Sequence, residues 1–168
     1  MLDKLLPVIL PPCIAQVIGR GTPVDFNKKF IDGKPIFGKG KTWVGTLGGI
    51  GISFIVLEIL YFLGLIFDNV PSDRAIGLFF FLSCGSMFGD LFNSFIKRRL
   101  GIERGGKFIG DRVNSPLGGF VFTYIMCPDL LFSVYSVIDM VVITSVVGVG
   151  HVLLSRIAHK VGIKKERW

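Results

Sequence analysis

The chain has 168 residues, 51% of them apolar, with a mean hydropathy of +0.64 and a formal net charge of +7. The apolar residues are gathered in blocks long enough for the roughly 20 residues that a membrane-crossing helix needs, more than a soluble core of this size absorbs. Composition therefore excludes a water-soluble globular domain. It predicts an all-α, polytopic integral membrane protein of about five transmembrane helices, a single membrane domain over residues 1–168.

The first predicted span is about Leu5–Gly19. It carries Pro7, Pro11 and Pro12, lacks a small-residue cleavage site and is followed by basic residues. It reads as a retained, kinked helix rather than a signal peptide, with a disordered hydrophobic leader as the alternative.

The loop that follows, about residues 20–43, holds Arg20, Lys28, Lys29, Lys34, Lys39 and Lys41. Its end, Gly40-Lys41-Thr42, invites a P-loop reading. That reading fails because GxxxxGK[ST] needs glycine at position 35, where Pro35 stands, and no buried strand precedes it. A Gly-Lys-Thr that opens a helix still offers free N–H groups and a positive dipole end to an anion. Thr42 and Thr46 would share one face of that helix.

The second span is Val44–Phe67, an apolar run interrupted by Ser53 and Glu58. The third is Ala75–Ile96. Gly45 with Gly49, and Gly85 with Gly89, form GxxxG pairs, which with Gly48 and Gly51 predict close helix approach. Ser86, Asp90, Asn93 and Lys97 follow one another at helical spacing and share one face of the third helix. Asp90 precedes Lys97 by seven residues, so it lies roughly 10 Å deeper along the helix. A carboxylate at that depth costs a few kcal/mol. It marks a cation or substrate site in a polar cavity, or else a structural ion pair.

The next loop, about residues 97–115, is basic and glycine-rich, with Lys97, Arg98, Arg99, Arg104, Lys107 and Arg112, and it brings a second carboxylate, Asp111. Glycine lets backbone approach phosphate, and Lys and Arg neutralise it. Two carboxylates among many cations suggest Mg²⁺ bridging phosphate oxygens, since Mg²⁺ usually binds through one or two carboxylates plus substrate phosphates.

The fourth span runs from Pro116 to about Tyr135, interrupted by Pro128 and Asp129, which alternatively form a turn that leaves the fourth span short. The fifth is about Val137–Ile157. A basic tail, about 158–168, closes the chain. Cys13, Cys84 and Cys127 are dispersed in apolar blocks, which is neither a disulfide framework nor a metal spacing. His151 and His159 are isolated, and no Ser-His-Asp set is present.

Seventeen of the nineteen basic residues fall in the first loop, the loop after the third span and the C-terminal end, leaving Lys4 and Arg74. With five spans those three segments share one side. By the excess of Lys and Arg in cytoplasmic loops, the N-terminus is then outside and the C-terminus cytoplasmic. The same charge also attracts anionic headgroups, by about 1 kcal/mol per residue near the surface.

The stretch Gly89-Asp90-Leu91-Phe92-Asn93-Ser94-Phe95-Ile96-Lys97-Arg98-Arg99-Leu100-Gly101-Ile102-Glu103-Arg104, closed by Asp111-Arg112, resembles the signature of CTP:phosphatidate cytidylyltransferases. The Asp32-Gly33-Lys34 and Gly40-Lys41-Thr42-Trp43-Val44-Gly45-Thr46 pieces make it more similar to the archaeal branch, the CDP-archaeol synthases. The resemblance covers about Asn27 to Ser115. It departs where many bacterial-type relatives carry a histidine-glycine stretch, here Phe108-Ile109-Gly110.

The resemblance implies a multi-pass enzyme of the cell membrane with its active site on the cytoplasmic face. It would join CTP to 2,3-bis-O-geranylgeranylglycerol 1-phosphate, giving CDP-archaeol and diphosphate. Asp90, Asp111 and Lys97 would be the catalytic set, with Asp90 and Asp111 holding Mg²⁺. Lys41, Lys97 and Arg98 would contact phosphates, with Arg112 a further candidate. Asn27, Thr42, Thr46, Asn93 and Asn114 would contact the nucleotide. CTP, the prenylated glycerol phosphate and the membrane are the implied partners, without nucleic acid; a homodimer stays open. A small-solute transporter and a glycerol-phosphate acyltransferase are the alternatives. The first finds no internal repeat, and the second has no evident need for two carboxylates.

Overall fold

The computed structural model describes residues 2–103, 106 and 108–160. Arg104, Lys107 and the tail beyond residue 160 lie outside them, as do the side chains of His151 and His159. The described residues form six α-helices: α1 (Leu2–Ile18), α2 (Trp43–Phe62), α3 (Ser72–Arg99), α4 (Asn114–Met126), α5 (Pro128–Val134) and α6 (Val137–Lys160), with a 3-10 turn at Ile109–Arg112. Helix α3 packs most extensively against α4, and α1 against α2. The all-helical membrane architecture is therefore as expected.

By length and composition α2 and α3 are able to cross a membrane, and α5 with residues 137–150 makes a third span if the pair, bent by 78°, is taken as one. Helix α1 has 17 residues and α4 has 13, short of the roughly 20 of a full crossing. The fourth segment does not run unbroken to Tyr135. It stops at Met126, Cys127 adopts a non-helical conformation (φ −152°, ψ 78°) and Pro128 opens α5. Proline has no N–H to continue a helix ladder but suits a first helical turn, so the turn is the reading the backbone adopts.

Helix α1 runs through Pro7, Pro11 and Pro12. Each proline removes a ladder donor, and Pro12 stands where the partner of the Val8 carbonyl would be. Two hydroxyls replace it: Ser86 Oγ of α3 donates to the Val8 carbonyl at 3.2 Å, and Ser115 Oγ of α4 donates to the same oxygen. Both serines and Val8 are buried. Ser86, the deepest residue of the polar stripe, therefore satisfies a neighbouring backbone.

The glycine pairs do what their spacing predicts. A Cβ on Gly89 would stand 2.2 Å from the Asn114 carbonyl oxygen, and one on Gly85 would stand 2.6 Å from the Gly118 oxygen. Across α1, a Cβ on Gly49 would meet the Pro11 oxygen at 2.8 Å, and one on Gly48 would meet Ile18 at 2.4 Å. Gly51 is the exception, because nothing lies within 4 Å of its Cβ position; it contributes no close approach.

The core lies toward the other end of the bundle. Phe67, Phe79 and Tyr135 are buried there, with ring centroids of Phe67 and Phe79 5.3 Å apart. Lys4 of α1 pairs with Asp139 of α6 at 2.9 Å, and Tyr135 Oη donates to the Lys4 carbonyl at 2.8 Å. Phe88 and Phe92 of α3 are exposed, as lipid-facing side chains are. Cys13, Cys84 and Cys127 are free.

Candidate active site

The end of α3 marked by Lys97-Arg98-Arg99 is where the two basic loops meet. The first loop folds back on itself through a small turn: Phe30 N–H donates to the Lys34 carbonyl at 2.8 Å, and Gly33 adopts a φ of 76° that favours glycine. Arg99 fastens this turn to α3. Its guanidinium lies 4.8 Å from the ring centres of both Phe30 and Phe95, its Nε is 3.2 Å from Asp32, and it donates to the Pro35 carbonyl. In return Lys34 Nζ donates to the Arg99 carbonyl at 2.8 Å.

Between this loop, α3 and the 3-10 turn lies a cavity of about 180 Å³, lined by Phe37, Gly40, Lys41, Asp90, Asn93, Ser94, Lys97, Arg98 and Asp111. Two carboxylates face it, each with a lysine and an asparagine. Lys41 Nζ donates to Asp90 Oδ2, and Asn114 Nδ2 donates to Asp90 Oδ1 at 3.3 Å. Lys97 Nζ donates to Asp111 Oδ2 at 2.7 Å, and Asn93 Nδ2 donates to Asp111 Oδ1 at 2.6 Å. Lys97 also reaches the Gly106 carbonyl at 2.9 Å. Gly110 is required beside them, since a Cβ there would stand 2.4 Å from Asn93 Oδ1.

The structure thus brings together Asp90, Asp111, Lys41, Lys97, Asn93, Arg98 and, through Asp90, Asn114. Arg98 is largely engaged: its Nε donates to the Phe37 carbonyl at 3.2 Å and its Nη1 to the Ile102 carbonyl at 2.7 Å. It fastens the two loops together while lining the cavity. Thr42 is buried and caps α2, its Oγ1 accepting from Gly45 N–H at 3.1 Å. Thr46 is buried in the first turn of the same helix. Neither threonine lines the cavity, and nor do Asn27 and Arg112, both exposed. The shared face of Thr42 and Thr46 is real, but it is turned inward.

Two residues belong here that the pattern of the sequence did not single out. Ser94 follows Asp90 by one helical turn and donates from Oγ to the Asp90 carbonyl at 3.0 Å; its spacing was the available signal. Asp25 is buried at the centre of the first loop and accepts three backbone N–H groups, from Asn27 at 3.0 Å, Phe37 at 2.9 Å and Gly38 at 2.8 Å. Burial pushes its carboxyl up, but the N–H groups outweigh it and hold the carboxyl below the usual 3.8.

The donor set suits a hard divalent cation. Asp90 and Asp111 retain side-chain exposures of 19% and 28%, and each oxygen has a lone pair beyond those its partners use. Among the described residues no group of three or more His, Cys, Asp or Glu side chains comes together. Two carboxylates without a full protein cage match a Mg²⁺ that arrives on phosphates.

A family model described as CarS-like: CDP-archaeol synthase matches residues 1–168. The chain is 37% identical over 171 residues to the CDP-archaeol synthase of Archaeoglobus fulgidus, covering 98% of this chain and 94% of that protein. It is 36% identical over 177 residues to that of Methanocaldococcus jannaschii, with 98% and 93% covered. A solved structure described as an intramembrane enzyme for archaeal membrane lipids biosynthesis superposes with a TM-score of 0.71 at 23% identity, over 91% of this chain and 90% of that one. That likeness concerns the fold.

Proposed function

The chain belongs to the CDP-archaeol synthase family, a cytidylyltransferase that forms CDP-archaeol, and on that premise we propose that the cavity at the end of α3 is where CTP meets the lipid phosphate. The carrying observation is the pair of carboxylates, Asp90 and Asp111, each neutralised by a lysine across one cavity. The lipid substrate is 2,3-bis-O-geranylgeranylglycerol 1-phosphate. One of its phosphate oxygens attacks the α-phosphorus of CTP. A new P–O bond forms, the bond from the α-phosphorus to the α,β-bridging oxygen breaks, and diphosphate leaves with that oxygen and the electron pair.

The lipid phosphate is already an oxyanion near neutral pH, so the residues need not include a strong base. Their task is alignment and neutralisation of charge. Lys41 reaches the cavity from the first loop and Lys97 from α3, and each is able to turn its ammonium from a carboxylate to a phosphate oxygen. Asn93 and Asn114 hold the carboxylates in place from their amide nitrogens. Asp90 and Asp111 would hold Mg²⁺, which when bound would supply neutralisation of charge on the phosphates. Arg98 keeps the two loops closed on the cavity. The basic end of the bundle faces the cytoplasm, where CTP is, and the prenyl chains lie among the exposed apolar side chains of the helices.

The test is cytidylyl transfer by purified protein. With labelled CTP, Mg²⁺ and a prenylated glycerol phosphate, a labelled CDP-lipid is expected. Absence of product with any lipid phosphate would refute the reading.

A further inference from the structure

Asp25 does not line the catalytic cavity, yet it is one of the most buried charged groups described, at 5% exposure. Its partners explain why. Oδ2 accepts from the consecutive N–H groups of Phe37 and Gly38. Gly38 has a φ of 87°, and a Cβ on it would stand 2.9 Å from Arg98 Nε. The Gly38 carbonyl then accepts from Lys41 N–H at 3.1 Å, closing a tight turn, while the Lys41 carbonyl accepts from Val24 N–H at 2.8 Å, next to Asp25 itself. The carboxylate is thus the fixed point of a closed circuit. It holds the start of the turn, the turn ends on Lys41, and Lys41 returns to the residue before the carboxylate.

The geometry points to Asp25 as a positioning residue for cytidylyl transfer: through the Phe37–Lys41 turn it fixes the ammonium of Lys41 at Asp90 and at the phosphates of CTP. This rests on the reading of the cavity as the CTP site. A carboxylate is suited to the task because it is an acceptor only, so both oxygens are available to the three N–H groups. An amide in its place brings a donor against at least one of them. Charge-assisted bonds of this kind are about twice as strong as neutral ones, and a misplacement of about 1 Å at a reacting centre costs about 100-fold in rate.

The experiment is a double-mutant cycle on the full-length protein in detergent, with Asp25→Asn, Lys41→Met and the two together, read as kcat and KM for each substrate. Wild type that makes no CDP-lipid refutes the site reading itself. With active wild type, Asp25→Asn is expected to lose about 100-fold in kcat/KM for CTP while the KM for the lipid phosphate stays at its wild-type value. The double variant should be no worse than Lys41→Met alone, because Asp25 acts through that lysine. Additive losses, or an equal loss toward both substrates, would overturn the inference. If Asp25→Asn does not fold, Gly38→Ala enters the same cycle, since it disturbs the same turn against Arg98 without changing the carboxylate. Failure of both variants to fold would also overturn it, because Asp25 would then support the fold rather than the lysine.

Discussion

Asp90 lines the cavity with Lys41 and Asn114 on its two oxygens. Replacing it by asparagine keeps the shape and removes the charge that pairs with Lys41 and that the proposed divalent cation would need. Asp90→Asn is expected to lower turnover by at least about 100-fold in the CDP-lipid assay; activity that survives at ordinary Mg²⁺ concentrations would show that the carboxylate does not hold metal. Asp25 makes a pH prediction. Its carboxyl is held below 3.8 in the folded loop by three N–H groups, so the charged form is bound more strongly in the folded state. The stabilisation is fully present above 3.8 and is lost as pH falls through the lower folded-state value. Trp43 lies 6.2 Å from Phe26, next to Asp25. In a Trp168→Phe background its fluorescence should remain constant from neutral pH down to the usual carboxylate range and change only below it, and Asp25→Asn should remove that acid step.

At the scale of the elements, α3 and α4 approach through Gly85, Gly89 and Gly118, and this seam also carries Asn114 to Asp90. Gly89→Ala puts a methyl 2.2 Å from the Asn114 carbonyl oxygen, a backbone atom that cannot rotate away. Overpacking of this kind costs about 1–3 kcal/mol. It should lower the melting temperature in detergent and also reduce CDP-lipid formation, because Asn114 moves with the displaced backbone. The proline-rich α1 depends on its neighbours in another way. Removing both hydroxyls with Ser86→Ala and Ser115→Ala strands the Val8 carbonyl in an apolar interior, at a cost of about 1–3 kcal/mol. Either single variant should cost much less, since the other hydroxyl still reaches the same oxygen; thermal unfolding of the two singles and the double separates these cases.

For the whole molecule, polarity is one-ended. The cavity, the two loops and the Arg98 and Arg99 fastenings lie at one end, while aromatic packing and the Lys4–Asp139 pair lie toward the other. Ligand binding at that end should raise the stability of the whole bundle, by about 2.7 kcal/mol at a CTP concentration 100 times its Kd with Mg²⁺ present. A melting temperature unmoved by CTP and Mg²⁺ would contradict a nucleotide site there. Much of this was legible in the chain. Long apolar blocks dictate membrane helices because backbone polar groups must be satisfied within them. Helical spacing alone puts Asp90, Asn93 and Lys97 on one face, and GxxxG spacing alone marks the helix seams. What spacing does not carry is the partner on another element. Ser86 shares the face of Asp90 but turns to a carbonyl that Pro12 frees in α1. Thr42 shares the loop of Lys41 but caps a helix. Asp25 reads as one acidic residue in a basic loop until its three N–H partners, two of them more than ten positions away, surround it. Local periodicity determined which residues share a surface. Only tertiary packing decided which of them face the cavity and which satisfy the backbone, because a hydrogen-bonding group is claimed by whichever unpaired partner the fold brings nearest.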